Sequence, residues 1–576
     1  MQIINYERYA AMSISNIQRK IIIYPPRGLI YDRNKKILAG NQIAYDLLFI
    51  PFQSNSFDTL ELANILNVST DFLKNQINKA YKYSAYLPSI IVSQLNFDFA
   101  SIIKEKLYKF KGFYLQPRYI RYYPYSVAAN LLGYVGEVDK KILKKHKEYK
   151  IGDLIGITGL ERSYENYLKG RKGVSIVLVD AYNRVIGKFA EGRYDTAAIP
   201  GKNIITTIDL DLQLYAEQLM KGKCGSIVAI EPSTGEVLVL VSSPTYDPNL
   251  LCGYNKNKNF KILKNDPNKP FFNRAIMATY PPGSTFKLAN ALICLNEKII
   301  NKNTTFKCYN GHAFGPLFIN CHPHSPVSGI VDAIAYSCNS YFSHIFLLLL
   351  NNKNYKNTEN AYKKWYEYVL SFGFGEKLNI DLPSESKGIV PTIEYYNKHF
   401  GKGKWKPLTV ISLGIGQAEL SLTPLQLANF TCILANRGYY IKPHLVKTIE
   451  DTFFNSNIYK LKNFVKIKKE YIDIVIEGME KTIEAGTAKW IKIDGIKICG
   501  KTGTAQNPHG KDHSLFIAFA PKEDPKIAIC VIVENSGFGA SYAAPIASLI
   551  IEKYLNKEVK RKELEKKMME CNLIDN

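Results

Sequence analysis

Apolar residues along this chain change their spacing several times, and each change marks a new element. Residues 1–20 read as amphipathic and lead into Ile21-Ile22-Ile23-Tyr24, a β-like run stopped by Pro25-Pro26. Alternation around Tyr45–Ile50 predicts a strand. From about 55 to 110 the spacing turns helical, with Leu60, Leu62, Ile65 and Leu66 in one apolar group and Phe72, Leu73 and Ile77 in the next. A turn-rich section at Tyr122-Tyr123-Pro124-Tyr125 gives way to Leu131-Leu132-Gly133-Tyr134-Val135-Gly136. Gly159-Leu160-Glu161 is expected to open a helix that closes at Gly170, with a strand at Val174–Val179 after it.

The pattern shifts near Pro200-Gly201. Ile204–Ile208 reads as a strand, and Asp209-Leu210-Asp211 is placed to cap the helix that follows. Ser226–Ile230 and Glu236–Val241 flank Glu231-Pro232-Ser233-Thr234-Gly235, an apolar hairpin with a Pro/Gly turn. A domain boundary therefore falls near 200–220. Leu288–Leu295 and Ile330–Leu350 are expected to be helical, Leu515–Phe519 and Ile527–Val533 strands, and Ala543–Leu555 a helix. The charged tail after 556 reads as a frayed helix with a solvated face.

Composition narrows the classes. With 576 residues, 46% hydrophobic and 22% charged, the chain is too long for one core and is neither disordered nor collagen-like. A net charge of +24, from 75 Lys+Arg against 51 Asp+Glu, favours anionic partners. Yet Lys and Asn recur everywhere, as in Asn255-Lys256-Asn257-Lys258-Asn259, which is the mark of A/T-rich codons, so no nucleic-acid partner is expected. Ten cysteines spread over the chain are not a disulfide-stapled framework. No signal peptide opens the sequence, and its longest apolar run, Ile527–Val533, has seven residues, so taken literally it reads as soluble and cytoplasmic.

Three short motifs carry candidate chemistry. In Tyr280-Pro281-Pro282-Gly283-Ser284-Thr285-Phe286-Lys287, Pro and Gly make a tight turn that puts Ser284 at a helix N-terminus, where unpaired N–H groups favour an oxyanion. Lys287 follows one helical turn later, which sets its amine beside the Ser284 hydroxyl as a general base. Ser337-Cys338-Asn339 offers a proton relay and an amide that can hold substrate. Lys501-Thr502-Gly503-Thr504, after a strand-like Ile496–Cys499 and an expected break at Gly500, offers charge, hydroxyls and backbone N–H groups to an extended substrate. Each motif alone describes an ordinary capped helix, a polar helix face or a hairpin. In this order and at this spacing they match the Ser-x-x-Lys, Ser-x-Asn, Lys-Thr-Gly set of penicillin-interacting serine enzymes.

On these motifs the chain resembles the class B penicillin-binding proteins, and within them the penicillin-binding protein 2 branch. Arg27–Asn34, Tyr122–Gly136 and Gly159–Gly170 resemble motifs of that family's N-terminal pedestal, and Thr206–Gln213 resembles the join to its catalytic domain. The Asp512–Pro521 stretch and Ala543-Ala544-Pro545 resemble the elongation enzyme more than its division counterpart. The resemblance implies an α+β fold with an extended non-penicillin-binding pedestal over 1–200. A transpeptidase domain, an antiparallel sheet flanked by helices, would span 201–556, and a charged tail 557–576. It implies a D,D-transpeptidase in which Ser284 attacks the penultimate D-Ala of a peptidoglycan stem peptide, Lys287 takes its proton and Ser337 relays it. Asn339 and Lys501 complete the catalytic set, and Thr502, Gly503 and Thr504 bind substrate. Acyl transfer needs no cofactor. Stem peptide, lipid-linked precursor, β-lactams and a membrane glycosyltransferase of the elongation machinery are the implied partners. No carboxylate loop is evident to activate a deacylating water, which argues against a β-lactamase. A non-catalytic scaffold for the glycosyltransferase, or a division-type enzyme, remains as the alternative.

Cys308, Cys321, His324 and Cys338 lie in one stretch with 12, 2 and 13 intervening residues and run into the second motif. Three thiolates and an imidazole make a structural zinc set, and some elongation-type relatives carry a zinc site here built partly from Asp. A Cys308–Cys321 disulfide or unlinked thiols are the other readings, with His312 and His322 as second-choice ligands. Asp512 and His513 suggest acid/base work, but His513 is expected simply to orient the strand after Lys501-Thr502-Gly503. Family members begin with a transmembrane helix followed by a stretch like Asn5-Tyr6-Glu7-Arg8-Tyr9. The resemblance thus implies the inner membrane, a periplasmic catalytic domain and an anchor just ahead of Met1, either lost or cut off by a late start.

Overall fold

Five strands with apolar residues on both faces build the platform for the site. They are Gly225–Ile230, Val237–Ser243, Cys499–Ala505, His513–Ala520 and Ile527–Val533, all antiparallel to their neighbours. Their spatial order is 237–243, 225–230, 527–533, 513–520, 499–505, so Cys499–Ala505 is an edge. Successive side chains of a strand point to opposite faces. Val228, Ile230, Ile517, Phe519 and Ile532 therefore enter one core, and Ile227, Ala229, Phe516, Ala518 and Val531 the other. Helices cover both faces, which is why these strands read as unbroken apolar runs rather than alternating ones. Leu210–Met220 and Ala543–Asn556 lie on one side, and Lys287–Asn296 and Pro424–Ala435 on the other. Pro424–Ala435 is buried along its whole length, as a helix apolar all round must be, and Thr423 and Gln426 close its start with a capping box. Asp209 caps the helix expected after it, accepting from the Leu212 N–H at 3.1 Å.

The computed structural model describes residues 18–150, 152–180, 185–452 and 459–574. Most of the amphipathic stretch expected over 1–20, and all of Asn5–Tyr9, lie outside the described residues. The N-terminal unit is organised by the strand Ile37–Phe49, which pairs on one side with Ser89–Leu95 and on the other with Phe113–Tyr122. Ser89–Leu95 corrects the helical reading of 55–110. Helices Thr59–Leu66, Thr70–Tyr83 and Phe97–Lys106 are present, but Pro88 and the β-branched run Ile90-Ile91-Val92 turn the segment between them into a strand.

The helix expected over Gly159–Gly170 is two short helices, Gly159–Ser163 and Glu165–Leu168, broken at Tyr164. A buried ionic cluster sits at this break. Arg27 Nη2 donates to Glu161 and Glu165 at 2.6 Å each, Arg121 Nε donates to Glu161 at 2.6 Å, and the Tyr149 hydroxyl donates to Glu165 at 2.8 Å. Burial works against the Glu161 charge, yet Arg121 and Arg27 hold its carboxyl below the usual range.

One sheet runs across the division expected at residue 200. Ile30–Tyr31 lies parallel to Ile204–Thr206, which pairs with Val446–Ile449. The tail also differs from the frayed helix expected: Lys562–Glu570 is docked, with Met568 buried. Lys223 Nζ, itself buried, donates to the Met568 and Cys571 carbonyls at 2.6 and 2.8 Å, which a buried amine requires. Among the described residues no helix is long and apolar enough to cross a membrane.

Candidate active site

The turn Gly283–Thr285 feeds directly into the helix Lys287–Asn296. Gly283 has φ +52°, and a Cβ there would lie 2.3 Å from the Thr504 carbonyl oxygen. Only glycine lets this turn touch the edge strand. The first two turns of the helix are packed on all sides, so Lys287 is fully buried. Its Nζ donates to the Asn339 Oδ1 at 2.6 Å, to the Ser337 carbonyl at 2.8 Å and to the Ser337 Oγ at 3.3 Å. No carboxylate is among these partners, and burial pushes the amine down to about 8. Among the described residues no hydrogen bond joins Lys287 to the Ser284 hydroxyl, which the motif spacing had placed beside it.

The second motif departs from the single helix expected over Ile330–Leu350. The chain forms Ile330–Ala335 and Asn339–Leu350, with Ser337 between them at φ +56°. Cys338 is the N-cap of the second helix, its sulfur accepting from the Tyr341 N–H at 3.4 Å. Ser and Asn compete with helical backbone for hydrogen bonds, which favours an interruption here. The break aims the Ser337 carbonyl and hydroxyl at Lys287 together. Asn339, expected to hold a substrate amide, is already engaged at both ends: Oδ1 accepts from Lys287, and Nδ2 donates to the Asn320 carbonyl at 2.8 Å.

The third motif also needs a correction. A strand ending at Cys499 with a break at Gly500 was the expectation, but Cys499–Ala505 is one continuous strand through the motif. Gly500 is there for packing, since a Cβ would come 2.6 Å from the Phe516 ring. At Gly503 a Cβ would meet the Thr285 side chain at 2.9 Å. Lys501 is fully buried, and among the described residues its Nζ donates only to the Thr502 carbonyl, at 3.0 Å. Burial, and then the neighbouring Lys287, push its amine well below the usual range. The Thr502 and Thr487 hydroxyls bond at 2.8 Å.

A cavity of about 880 Å³ draws the three motifs together, lined by Ser284, Ser337, Asn339, Thr502, Gly503 and Thr504. Residues 225–552 match the penicillin binding protein transpeptidase domain. The chain belongs to the penicillin-binding protein transpeptidases. Residues 22–206 match the penicillin-binding protein dimerisation domain. The chain is 33% identical to the peptidoglycan D,D-transpeptidase MrdA of Acinetobacter baumannii, over 96% of this chain and 84% of that protein. It is 31% identical to the Haemophilus influenzae MrdA, over 98% and 89%. Among solved structures it is similar to penicillin-binding protein 2 of Helicobacter pylori in complex with MreC, with a TM-score of 0.77, 26% identity, and 93% and 99% of the two chains covered. The Pseudomonas aeruginosa penicillin-binding protein 2 in complex with WCK 5153 gives a TM-score of 0.70 and 28% identity over 94% and 99%. A peptidoglycan synthase complex that coordinates polymerization and crosslinking matches with a TM-score of 0.73 and 26% identity over 97% and 95%.

Beside the second motif of this penicillin-binding protein, the ligand atoms of Cys308, Cys321, His324 and Cys338 all lie within 4.8 Å of one another. The sulfurs are unbonded, so no Cys308–Cys321 disulfide forms. His324 Nδ1 is 2.7 Å from the Ser325 carbonyl, which sets that nitrogen as the donor and leaves Nε2 a lone pair. That Nε2 is buried and has no hydrogen-bond partner. A hydrogen bond from the Cys338 thiol and another from the Asn339 N–H, at 3.2 Å, hold the Cys321 thiol below the usual range. Three sulfurs and one orphaned imidazole nitrogen fit a tetrahedral zinc. His312 packs edge-on against His344 instead, with ring centroids 4.3 Å apart, and His322 lines the catalytic cavity. Asp512 and His513 hold loops: Asp512 accepts from the Asn507 N–H at 3.2 Å, and His513 Nδ1 from the Asn535 N–H at 3.0 Å.

Gln417, Thr487 and Phe538 are among the residues lining the cavity that sequence reasoning missed. The paired glycines of Gly414-Ile415-Gly416-Gln417 are the signal that could have found the first, since they mark close backbone approach.

Proposed function

We propose that this penicillin-binding protein is an elongation-type peptidoglycan D,D-transpeptidase working through an acyl-enzyme on Ser284. The observation that carries the reading is the buried amine of Lys287, which ties the nucleophile's helix to Ser337 and Asn339 with no carboxylate present. Ser284 Oγ attacks the carbonyl of the penultimate D-Ala as its proton passes to neutral Lys287. Ser337, bonded to that amine, hands the proton to the departing D-Ala nitrogen. The N–H groups of Ser284 and Thr504 receive the oxyanion, and loss of one such donor costs about 3 kcal/mol of barrier. The amine of a second stem peptide then takes the acyl group and forms the cross-link.

Two buried lysines cannot both carry charge cheaply in a site this dry. Lys287 has three oxygen acceptors and Lys501 one among the described residues, so the charge settles better on Lys287. A substrate carboxylate arriving at Thr502 and Thr504 reverses that preference. It draws the charge to Lys501 and leaves Lys287 as the free base. Zinc held by Cys308, Cys321, His324 and Cys338 would supply no chemistry to acyl transfer and would tie the segment before the second motif to the Ser337 turn.

Cross-linking needs substrate outside the inner membrane, so the catalytic domain belongs on the periplasmic side, beside a membrane glycosyltransferase. Fluorescent penicillin tests the reading: the wild type is expected to become covalently labelled and a folded Ser284→Ala variant to stay dark. A folded wild type that takes no label points to the scaffold role, and equal labelling of both proteins removes Ser284 as nucleophile.

A further inference from the structure

Gln417 lies outside all three motifs, 87 residues from the edge strand, yet its side chain reaches that strand across the mouth of the cavity. Its Nε2 donates to the Thr504 carbonyl at 3.1 Å. We propose that Gln417 is a positioning residue for acyl transfer: by holding the Thr504 carbonyl it fixes the backbone of that residue, so that the N–H on the other side of its Cα faces the oxyanion and the C=O keeps one lone pair for an amide of the donor peptide. The inference rests on the Ser284 reading above.

The loop bearing Gln417 is built to hold this contact. It leaves the 3-10 helix Pro407–Ile415 through Gly416, whose φ is +73°. A Cβ on Gly416 would come 2.2 Å from the Gly283 carbonyl oxygen, so the loop presses against the nucleophile turn. The Gly283 N–H donates to the Gly416 carbonyl at 2.8 Å, and the Gln417 N–H donates to the Ser412 carbonyl at 3.1 Å. Behind the loop, Asn290 on the nucleophile's own helix donates to the Leu413 and Gly414 carbonyls at 3.1 and 3.0 Å, and Trp365 Nε1 donates to the Asn290 Oδ1 at 2.9 Å. One rigid path therefore runs from the helix carrying Lys287, through Leu413–Gln417, to Thr504.

Thr504 is where such control matters. In an extended residue the N–H and C=O point the same way, and at Thr504 they point off the sheet edge toward the Gly283 turn. The hypothetical Gly283 Cβ lies 2.3 Å from the Thr504 oxygen and 3.3 Å from its nitrogen. A carbonyl oxygen has two lone pairs, so the Gln417 amide leaves one free. The two groups belong to the peptide planes on either side of the Thr504 Cα, so a change in φ and ψ at this one residue would misaim the oxyanion donor and the substrate acceptor.

Acylation of Ser284 by benzylpenicillin and by 6-aminopenicillanic acid, which lacks the side-chain amide, tests the inference on the full chain. The variants are Gln417→Met, which keeps size but not donation, and Gln417→Glu, which keeps shape and replaces the donor with an acceptor. Both are expected to lose about tenfold in benzylpenicillin acylation, in the rate of the covalent step more than in initial binding. The loss is expected to be smaller for 6-aminopenicillanic acid, with melting temperatures unchanged. Wild-type acylation by either variant, equal losses for the two β-lactams, or losses that follow a falling melting temperature would overturn the proposal. A wild type that takes no label would remove the Ser284 reading as well, which separates the two failures.

Discussion

Buried charge appears twice in this molecule, with opposite consequences. In the pedestal, Arg27 and Arg121 are buried against Glu161 and Glu165, which holds the Glu161 carboxyl below the usual range and joins strands to a broken helix. In the catalytic cleft Lys287 and Lys501 are just as buried but face carbonyls, an amide and a hydroxyl, and both amines are pushed down. Burial alone does not decide protonation; the countercharge does. The pedestal cluster is thus a fastener and the lysine pair a reagent.

Substitutions that break the contrast at the catalytic end should have the largest effect. Lys287→Arg keeps a positive group but cannot yield a free base, so Ser284 acylation is expected to fall by about 10²- to 10⁴-fold in single-turnover labelling, with the fold intact. Retained labelling would show that charge, not proton uptake, is what the position supplies. At the pedestal the damage should be to stability. Glu161→Ala takes the carboxylate from the buried Arg121 guanidinium, leaves Arg27 with Glu165 alone, and is expected to cost about 3–5 kcal/mol in denaturant unfolding. Lys287→Met removes a buried amine that has no carboxylate partner but leaves the Asn339 Oδ1 and the Ser337 carbonyl without their donor, and is expected to cost about 1–2 kcal/mol, clearly less than Glu161→Ala. Comparable losses at the two places would erase the distinction between fastener and reagent.

A smaller effect is expected at the cysteine cluster, whose Cys321 sulfur receives the Asn339 N–H while the Asn339 side chain holds Lys287. Cys321→Ser should lower bound zinc from about one per chain toward zero, and lower acylation by roughly tenfold through the loosened Ser337 turn. A metal-free native protein with full acylation would sever the cluster from the site.

How legible these regions were in the sequence follows from the range of the forces involved. The nucleophile turn, the Asp209 cap and the apolar strands were readable because each is decided within a few residues. The break at Ser337 was partly written in Ser337-Cys338-Asn339, poor helix formers, but the apolar run Ile330–Leu350 masked it. Gly500 was misread because a glycine that ends a strand and one that makes room for Phe516 look alike in sequence. Ser89–Leu95 became a strand because Ile37–Phe49 lay open to pair with it, a decision made far from that segment. The Gln417 contact spans 87 residues and had no local signature beyond its glycines.

The central claim is that Lys287, desolvated and without a carboxylate, is the base that activates Ser284. The rate constant for acylation by penicillin, measured from about pH 6 to pH 10, tests it most directly. Burial lowers the amine to about 8, so it is half neutral there, increasingly neutral above, and its neutral form is lost as pH falls through that value. The expected profile rises roughly tenfold per pH unit at the acid end and levels off above a midpoint near 8. A flat profile, or one that declines through that midpoint, would contradict the account.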